Sequence, residues 1–231
     1  MHSNDFAEIA KKTICIVPMY NEEAVISDVV LGLKEFFPNV LCVDDGSTDN
    51  SAEIATQAGA KVIHHAVNIG QGAAIATGFA WVSNQIQFAY VITFDADGQH
   101  LPTDALALVA KLASEKLDVV FASRFLDQSS KSVPPIKRIM LKFVAATTKY
   151  LTNVQLTDAH NGLRALTVEA SKKISITQKG MAHATQFVSL VLQAQLIYSE
   201  MPVTVLYTHY SRSKGQSILN SINIVLDLIW G

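Results

Sequence analysis

Cysteine is scarce in this chain: Cys15 and Cys42 are the only two in 231 residues, and both lie inside apolar, strand-like runs. That placement argues for buried inert thiols and against a disulfide framework or a cysteine-ligated metal, and it fits a reducing cytoplasm. Charge is scarce too, at 16% of residues with a formal net charge of -2. No basic surplus exists to recruit nucleic acid. No stretch offers the roughly 18 uninterrupted apolar residues that span a bilayer. Met1 to Lys12 carries Asp5 and Glu8 and lacks the apolar core of a secretory signal. A Walker pattern is absent, and so is a dinucleotide fingerprint. Gly70-Gln71-Gly72 has no third glycine at the required offset and follows the third predicted strand instead of the first. Internal repeats and low-complexity segments are also missing.

What is present is apolar. Hydrophobic residues make up 49% of the chain and mean hydropathy is +0.25, above an ordinary water-soluble domain. The length suits one α/β domain spanning 1–231, with a core large enough to need no staples.

The apolar residues fall into alternating strand and helix patterns. Strands are predicted at Thr13–Val17 (ended by Pro18), Val40–Val43, Lys61–His64, Ala89–Phe94 and Leu117–Ser123. Between them, helical spacing covers Val25 to Leu33, Asn50 to Ala58 with Asp49 or Ser47 as cap, the region from Asn68 to about Val82, and 102–115. Such alternation implies right-handed crossovers and a doubly wound, mostly parallel sheet. A helix over 182–196 and a β-like run Val203–Tyr207 follow. The polar 127–132, the Pro134-Pro135 pair and the basic start at 136–142 suggest an insertion or a loop beside the crevice. The last stretch, 217–231, carries Ile218, Leu219, Ile222, Val225, Leu226 and Ile229 on one face. This amphipathic helix must cover itself with the core, a second copy of the chain or a bilayer surface.

Ligands of doubly wound sheets sit outside the carboxyl ends of the strands. Polar punctuation gathers there: Tyr20 and Glu22, Asp44 and Asp45, Asp95 to Gln99, and Arg124. If Tyr90–Phe94 is a strand, Asp95 and Asp97 leave it on one side. Two carboxylates that close are costly without a cation, and Mg²⁺ or Mn²⁺ accepts carboxylate, amide and phosphate oxygens. A plain acidic turn before a helix starting at Pro102-Thr103-Asp104 is the other reading of the same residues. Thr157-Asp158-Ala159-His160-Asn161-Gly162-Leu163-Arg164 packs polar groups between two apolar patterns, either as a satisfied turn or as part of the site.

Val17-Pro18-Met19-Tyr20-Asn21-Glu22, Val43-Asp44-Asp45-Gly46-Ser47-Thr48-Asp49, Asp95-Ala96-Asp97-Gly98-Gln99-His100 and Ser123-Arg124 resemble, in order, the motifs of family 2 glycosyltransferases with the GT-A fold. The branch most similar is that of dolichyl- or polyprenyl-phosphate mannosyl- and glucosyltransferases, and the resemblance runs from Thr13 to Gly215. It implies a Rossmann-like GT-A domain with a nucleotide-sugar half at about 13–124 and an acceptor half at about 125–216. It further implies inverting transfer from a UDP- or GDP-linked sugar to a polyprenyl phosphate or lipid-linked glycan at the cytoplasmic membrane face. By that analogy Pro18, Tyr20, Glu22, Val43, Asp45, Asp95, Ala96, Arg124 and Arg212 meet the nucleotide sugar. Asp95, Asp97 and Gln99 hold the metal, and Asp97, Asp158 and Arg124 serve the transfer. Asp158 either deprotonates a hydroxyl acceptor or, with a phosphate acceptor that arrives ionised, orients its surroundings; His160 is a weaker candidate for either task. Leu163 replaces the usual phenylalanine of the Asp-x-x-x-Gly-Phe-Arg stretch. In Arg212-Ser-Lys-Gly-Gln-Ser217 one expected lysine is missing, with Lys214 as substitute. A separate membrane subunit, peripheral docking and a homodimer are the partners this implies. The rival readings are transfer to a soluble or protein hydroxyl, a nucleotide-sugar-binding subunit without turnover, and a phosphohydrolase using Asp95.

Overall fold

The computed structural model describes residues 3–126, 156–178 and 182–206. Arg212, Lys214, the 127–142 segment and the helix expected over 217–231 lie outside the described residues, as does Tyr207. Among the described residues seven strands form one sheet: β1 Thr13–Met19, β2 Asn39–Asp44, β3 Lys61–His64, β4 Tyr90–Thr93, β5 Val119–Ser123, β6 Arg164–Thr167 and β7 Tyr198–Pro202, in the spatial order β3-β2-β1-β4-β6-β5-β7. All neighbouring pairs are parallel except those of β6, which runs antiparallel between β4 and β5. The helices are α1 Ser3–Lys11, α2 Ile26–Lys34, α3 Ser51–Gln57, α4 Gln71–Ser83, α5 Pro102–Ser114, α6 Val168–Lys173 and α7 Ala182–Gln193. Among the described residues none is long and apolar enough to cross a membrane.

β1 shows why a continuous apolar run was needed. Cys15, Val17 and Met19 enter one core with α2 (Ile26, Val30, Leu33) and α5 (Leu108, Leu112), whereas Ile14 and Ile16 enter a second with α4 (Ile75, Phe79) and α7 (Phe187, Val191). Alternate side chains thus feed opposite faces, and both faces are covered. Each fully buried Leu, Ile or Phe contributes roughly 1.5–3 kcal/mol of transfer free energy. Cys15 and Cys42 share the first core as free thiols; burial pushes both up, Cys42 to about 12, so neither is a nucleophile.

Several boundaries differ from the sequence expectation. Pro18 does not end β1. Ile16 O accepts from Phe94 N–H and Met19 O from Asp45 N–H, both at 2.9 Å, so even positions face β4, whose pairing stops at Ile16. The missing N–H of Pro18 therefore points where no strand needs it. Neither Asp49 nor Ser47 is the cap of α3; Asn50 is. Asp49 Oδ1 still accepts from Ser51 N–H at 3.0 Å, while Ser47 Oγ accepts from Asn21 N–H across the loops at 2.9 Å. The expected β-run at 203–207 lies instead at β7, 198–202, with Val205 making only an isolated bridge to His100. β6, α1 and α6 were not expected from the sequence at all.

Candidate active site

β6 matters because of its direction. A reversed strand brings its leading loop, not its trailing one, to the rim formed by the carboxyl ends of its parallel neighbours. Residues 156–163 thereby join the loops after β1, β2, β3, β4 and β5 on one rim of the sheet. Thr93 Oγ1 donates to Gly162 O at 2.7 Å and ties that loop to the end of β4.

The first wall is a knot of the β1 and β2 loops. Asn21, at φ 53, accepts Thr48 N–H on Oδ1 at 2.8 Å; Glu22 N–H donates to Ser51 Oγ at 2.7 Å; Glu23 accepts Asn50 N–H at 3.1 Å. Gly46, at φ 76, lies against the backbone of Val67 and Asn68, where a Cβ would come within 2.7 Å of Val67 C. Only glycine permits that approach. Tyr20 remains 43% exposed at the edge of this wall. Pro18 and Val43 lie opposite each other in register with their side chains buried. Their backbone, not their side chains, is what borders the loops that follow β1 and β2.

Asp45 is turned inward. Its Oδ1 receives His65 Nδ1 at 2.8 Å and Ile69 N–H at 3.0 Å, and Oδ2 receives Gly70 N–H at 2.6 Å. His65 Nε2 in turn meets Thr77 Oγ1 at 2.8 Å. Asp45 therefore fixes the loop that starts α4, with one acceptor position left on Oδ2.

Asp95 and Asp97 lie beyond β4, which stops at Thr93, so a turn and not strand alternation places them. Gly98, at φ 71, shapes that turn, and Asp97 Oδ1 accepts Gln99 N–H at 3.1 Å while Oδ2 accepts Gln99 Nε2 at 2.7 Å. Asp95 receives Gln71 Nε2 on Oδ1 at 2.9 Å and meets His100 Nε2 through Oδ2 at 3.2 Å. Its carboxylate also lies directly against Gly162, where any Cβ would collide with both oxygens. Burial opposes ionisation of Asp95. The hydrogen bond and charge of His100, with Arg164 and His183, outweigh it and hold the carboxyl below its usual range. Asp97 goes the other way: burial first, then the charge of Asp95, push it up to about 6. Ala96, between them, is buried at 5% exposure.

Among the described residues no three His, Cys, Asp or Glu side chains converge on one ion. The set is instead two carboxylates and an amide, in which burial first and the charge of Asp95 second raise Asp97. Such an incomplete oxygen set fits Mg²⁺ or Mn²⁺ completed by phosphate oxygens.

Arg124 and Asp158 form the opposite wall. Asp158 is 3% exposed, and its carboxylate takes Arg124 Nε at 2.6 Å, Nη2 at 2.7 Å and the backbone N–H at 3.1 Å. This bidentate pair sets the guanidinium plane. Arg164 is 1% exposed and lies 4.3 Å from the Phe187 ring; its Nη2 donates to Ala159 O at 3.2 Å, and burial lowers it to about 10. His160 is lowered to about 4 by burial and the nearby charge of Arg164. The sequence reading missed Gln71 and Gly162 as partners of Asp95, although both sit in stretches rich in polar or small residues.

The same fold occurs in solved structures. Glucosyl-3-phosphoglycerate synthase from Mycobacterium tuberculosis, in complex with Mn²⁺, UDP-glucose and phosphoglyceric acid, matches with a TM-score of 0.70 over 99% of this chain and 83% of its own, at 17% identity. That likeness is one of GT-A fold. An uncharacterised protein of Methanocaldococcus jannaschii is 36% identical over 227 residues, 96% of this chain and 93% of its own length. The UDP-N-acetylglucosamine–dolichyl-phosphate N-acetylglucosaminyltransferase of Methanococcus voltae is 29% identical over 235 residues, 93% of each. The model of glycosyl transferase family 2 matches residues 14–175, and the chain belongs to that family.

Proposed function

We propose that this glycosyltransferase moves a sugar from a UDP-linked donor to a polyprenyl phosphate, with inversion at the anomeric carbon. One observation carries the acceptor class: both oxygens of Asp158 are held by Arg124 in a buried pair. A carboxylate so engaged is poorly placed to take a proton from a hydroxyl, whereas a phosphate acceptor arrives ionised. The dolichyl-phosphate acceptor and UDP donor in the name of the Methanococcus voltae relative point the same way.

In this reading the base rests between Tyr20 and the Asp45 loop, with Pro18, Glu22, Val43 and Ala96 lining the nucleotide by side chain or backbone. Arg124, joined by Arg212, meets the diphosphate, and its planar fork suits two phosphate oxygens. An acceptor phosphate oxygen forms the new bond to the anomeric carbon as the bond to the diphosphate breaks, and UDP departs with the electron pair. Asp95, Asp97 and Gln99 would hold Mg²⁺ or Mn²⁺, which when bound offsets the charge growing on the departing diphosphate. Gln71 and His100 keep Asp95 oriented. The domain works at the cytoplasmic face of a membrane, docked there or held by a separate membrane subunit.

The test is direct. Purified protein with UDP-sugars, GDP-sugars and short polyprenyl phosphates should give a glycosyl phosphate lipid by mass, and calorimetry should show UDP binding tightened by Mn²⁺. Asp97→Asn should cut turnover by roughly 10²-fold or more while the thermal transition persists. Equal UDP affinity with and without chelator, or product only on hydroxyl acceptors, defeats the reading.

A further inference from the structure

Glu200 lies on β7, three strands from β4, paired in register with Phe121. One of its oxygens, Oε1, accepts three donors from the opposite loop: Thr157 N–H at 2.8 Å, Thr157 Oγ1 at 2.8 Å and Asp158 N–H at 3.3 Å. A carboxylate only accepts, so it fixes the direction of the hydroxyls behind it. With its proton given to Glu200, Thr157 Oγ1 must accept from Ser123 Oγ, 2.5 Å away, and Ser123 Oγ in turn accepts Phe125 N–H at 3.1 Å. Ser123 and Phe125 flank Arg124. The second branch from Glu200 passes through the Asp158 backbone to the carboxylate that grips the Arg124 guanidinium. Both the backbone around Arg124 and its side-chain partner are therefore tied to one oxygen that does not touch Arg124.

We propose that Glu200 is a positioning residue which sets the orientation of Arg124 for the donor diphosphate. The inference rests on the reading that Arg124 meets that diphosphate. A residue that only stabilised the sheet edge would lower stability without singling out Arg124. Glu200 instead couples to it, and the coupling is measurable by a double-mutant cycle.

The cycle measures UDP affinity in the presence of Mn²⁺ by calorimetry on the full chain, with thermal unfolding in parallel, for Glu200→Gln, Arg124→Ala and the pair. The expected result is about a five-fold loss of affinity in Glu200→Gln, the scale of a weakened hydrogen-bond set. The same substitution should add nothing in the Arg124→Ala background. A five-fold loss that persists in that background overturns the inference, as does a silent Glu200→Gln beside a weakened Arg124→Ala. Unchanged affinity in Arg124→Ala alone removes the diphosphate reading itself, a separate failure. Should Glu200→Gln fail to fold, Thr157→Val runs through the same cycle. It keeps the backbone donors and removes the hydroxyl branch, so about a two-fold loss confined to the Arg124 background is expected, and unchanged affinity overturns the proposal.

Discussion

The missing side chain of Gly162 is what lets Asp95 keep its place, because a Cβ there would enter the space of both carboxylate oxygens. Gly162→Ala should cost about 1–3 kcal/mol of stability by overpacking. It should lower turnover about 10²-fold by displacing Asp95, proposed above as a metal ligand; unfolding titrations and initial rates check the two effects. His160 supplies a second prediction. Its imidazole takes up a proton near pH 6.5 when unfolded but only at about 4 when folded, chiefly through burial. Between those values the unfolded state binds more protons, so stability falls as pH falls through the window. His160→Gln should flatten that part of the stability profile, read as the thermal midpoint between pH 7 and 4; an unchanged slope would contradict it. These residues also mark what could be read from the chain. Asp45, Asp95, Asp97 and Arg124 were legible because each polar group follows an apolar run. Gln71 and Glu200 were not, since their meaning lies in contacts 24 and 43 residues away.

At the level of elements, α4 is pressed onto β1 more closely than ordinary packing allows. A Cβ on Gly78 would come within 2.5 Å of Ile16 Cγ2 and 2.9 Å of Cδ1. Gly78→Ala should therefore cost about 1–3 kcal/mol, and Ile16→Ala should recover part of that loss, so the double variant is less destabilised than the sum by urea unfolding. The first five strands were legible for a related reason. Strands buried on both faces are largely apolar, as β1, β2, β4 and β5 are, whereas β3, with Lys61 and His64 exposed at its ends, shows itself by the β-branched pair Val62-Ile63. β6 escaped because its four residues include a charged one, Arg164, whose buried setting between Phe121 and Phe187 comes from other parts of the chain. β7, Tyr-Ser-Glu-Met-Pro, has neither alternation nor full burial to betray it.

For the molecule as a whole, the two cores share one sheet, and Cys15 and Cys42 sit at its middle with no measurable exposure. Labelling of these thiols should be negligible in the native protein and should rise together with loss of far-ultraviolet circular dichroism along a urea series. Rapid labelling in native buffer would show that the sheet opens locally.

The reversed β6 has a consequence for biogenesis. β4 emerges during synthesis more than 70 positions before the residue that pairs with it, Thr167 opposite Tyr90. Until then two flanking strands carry unmatched backbone edges, the feature that seeds association between nascent chains. Closure over so long a loop is slow. Chaperone dependence should therefore centre on the interval before this wedge inserts, and a ribosome-stalled chain ending ahead of Arg164 should be the most prone to aggregate.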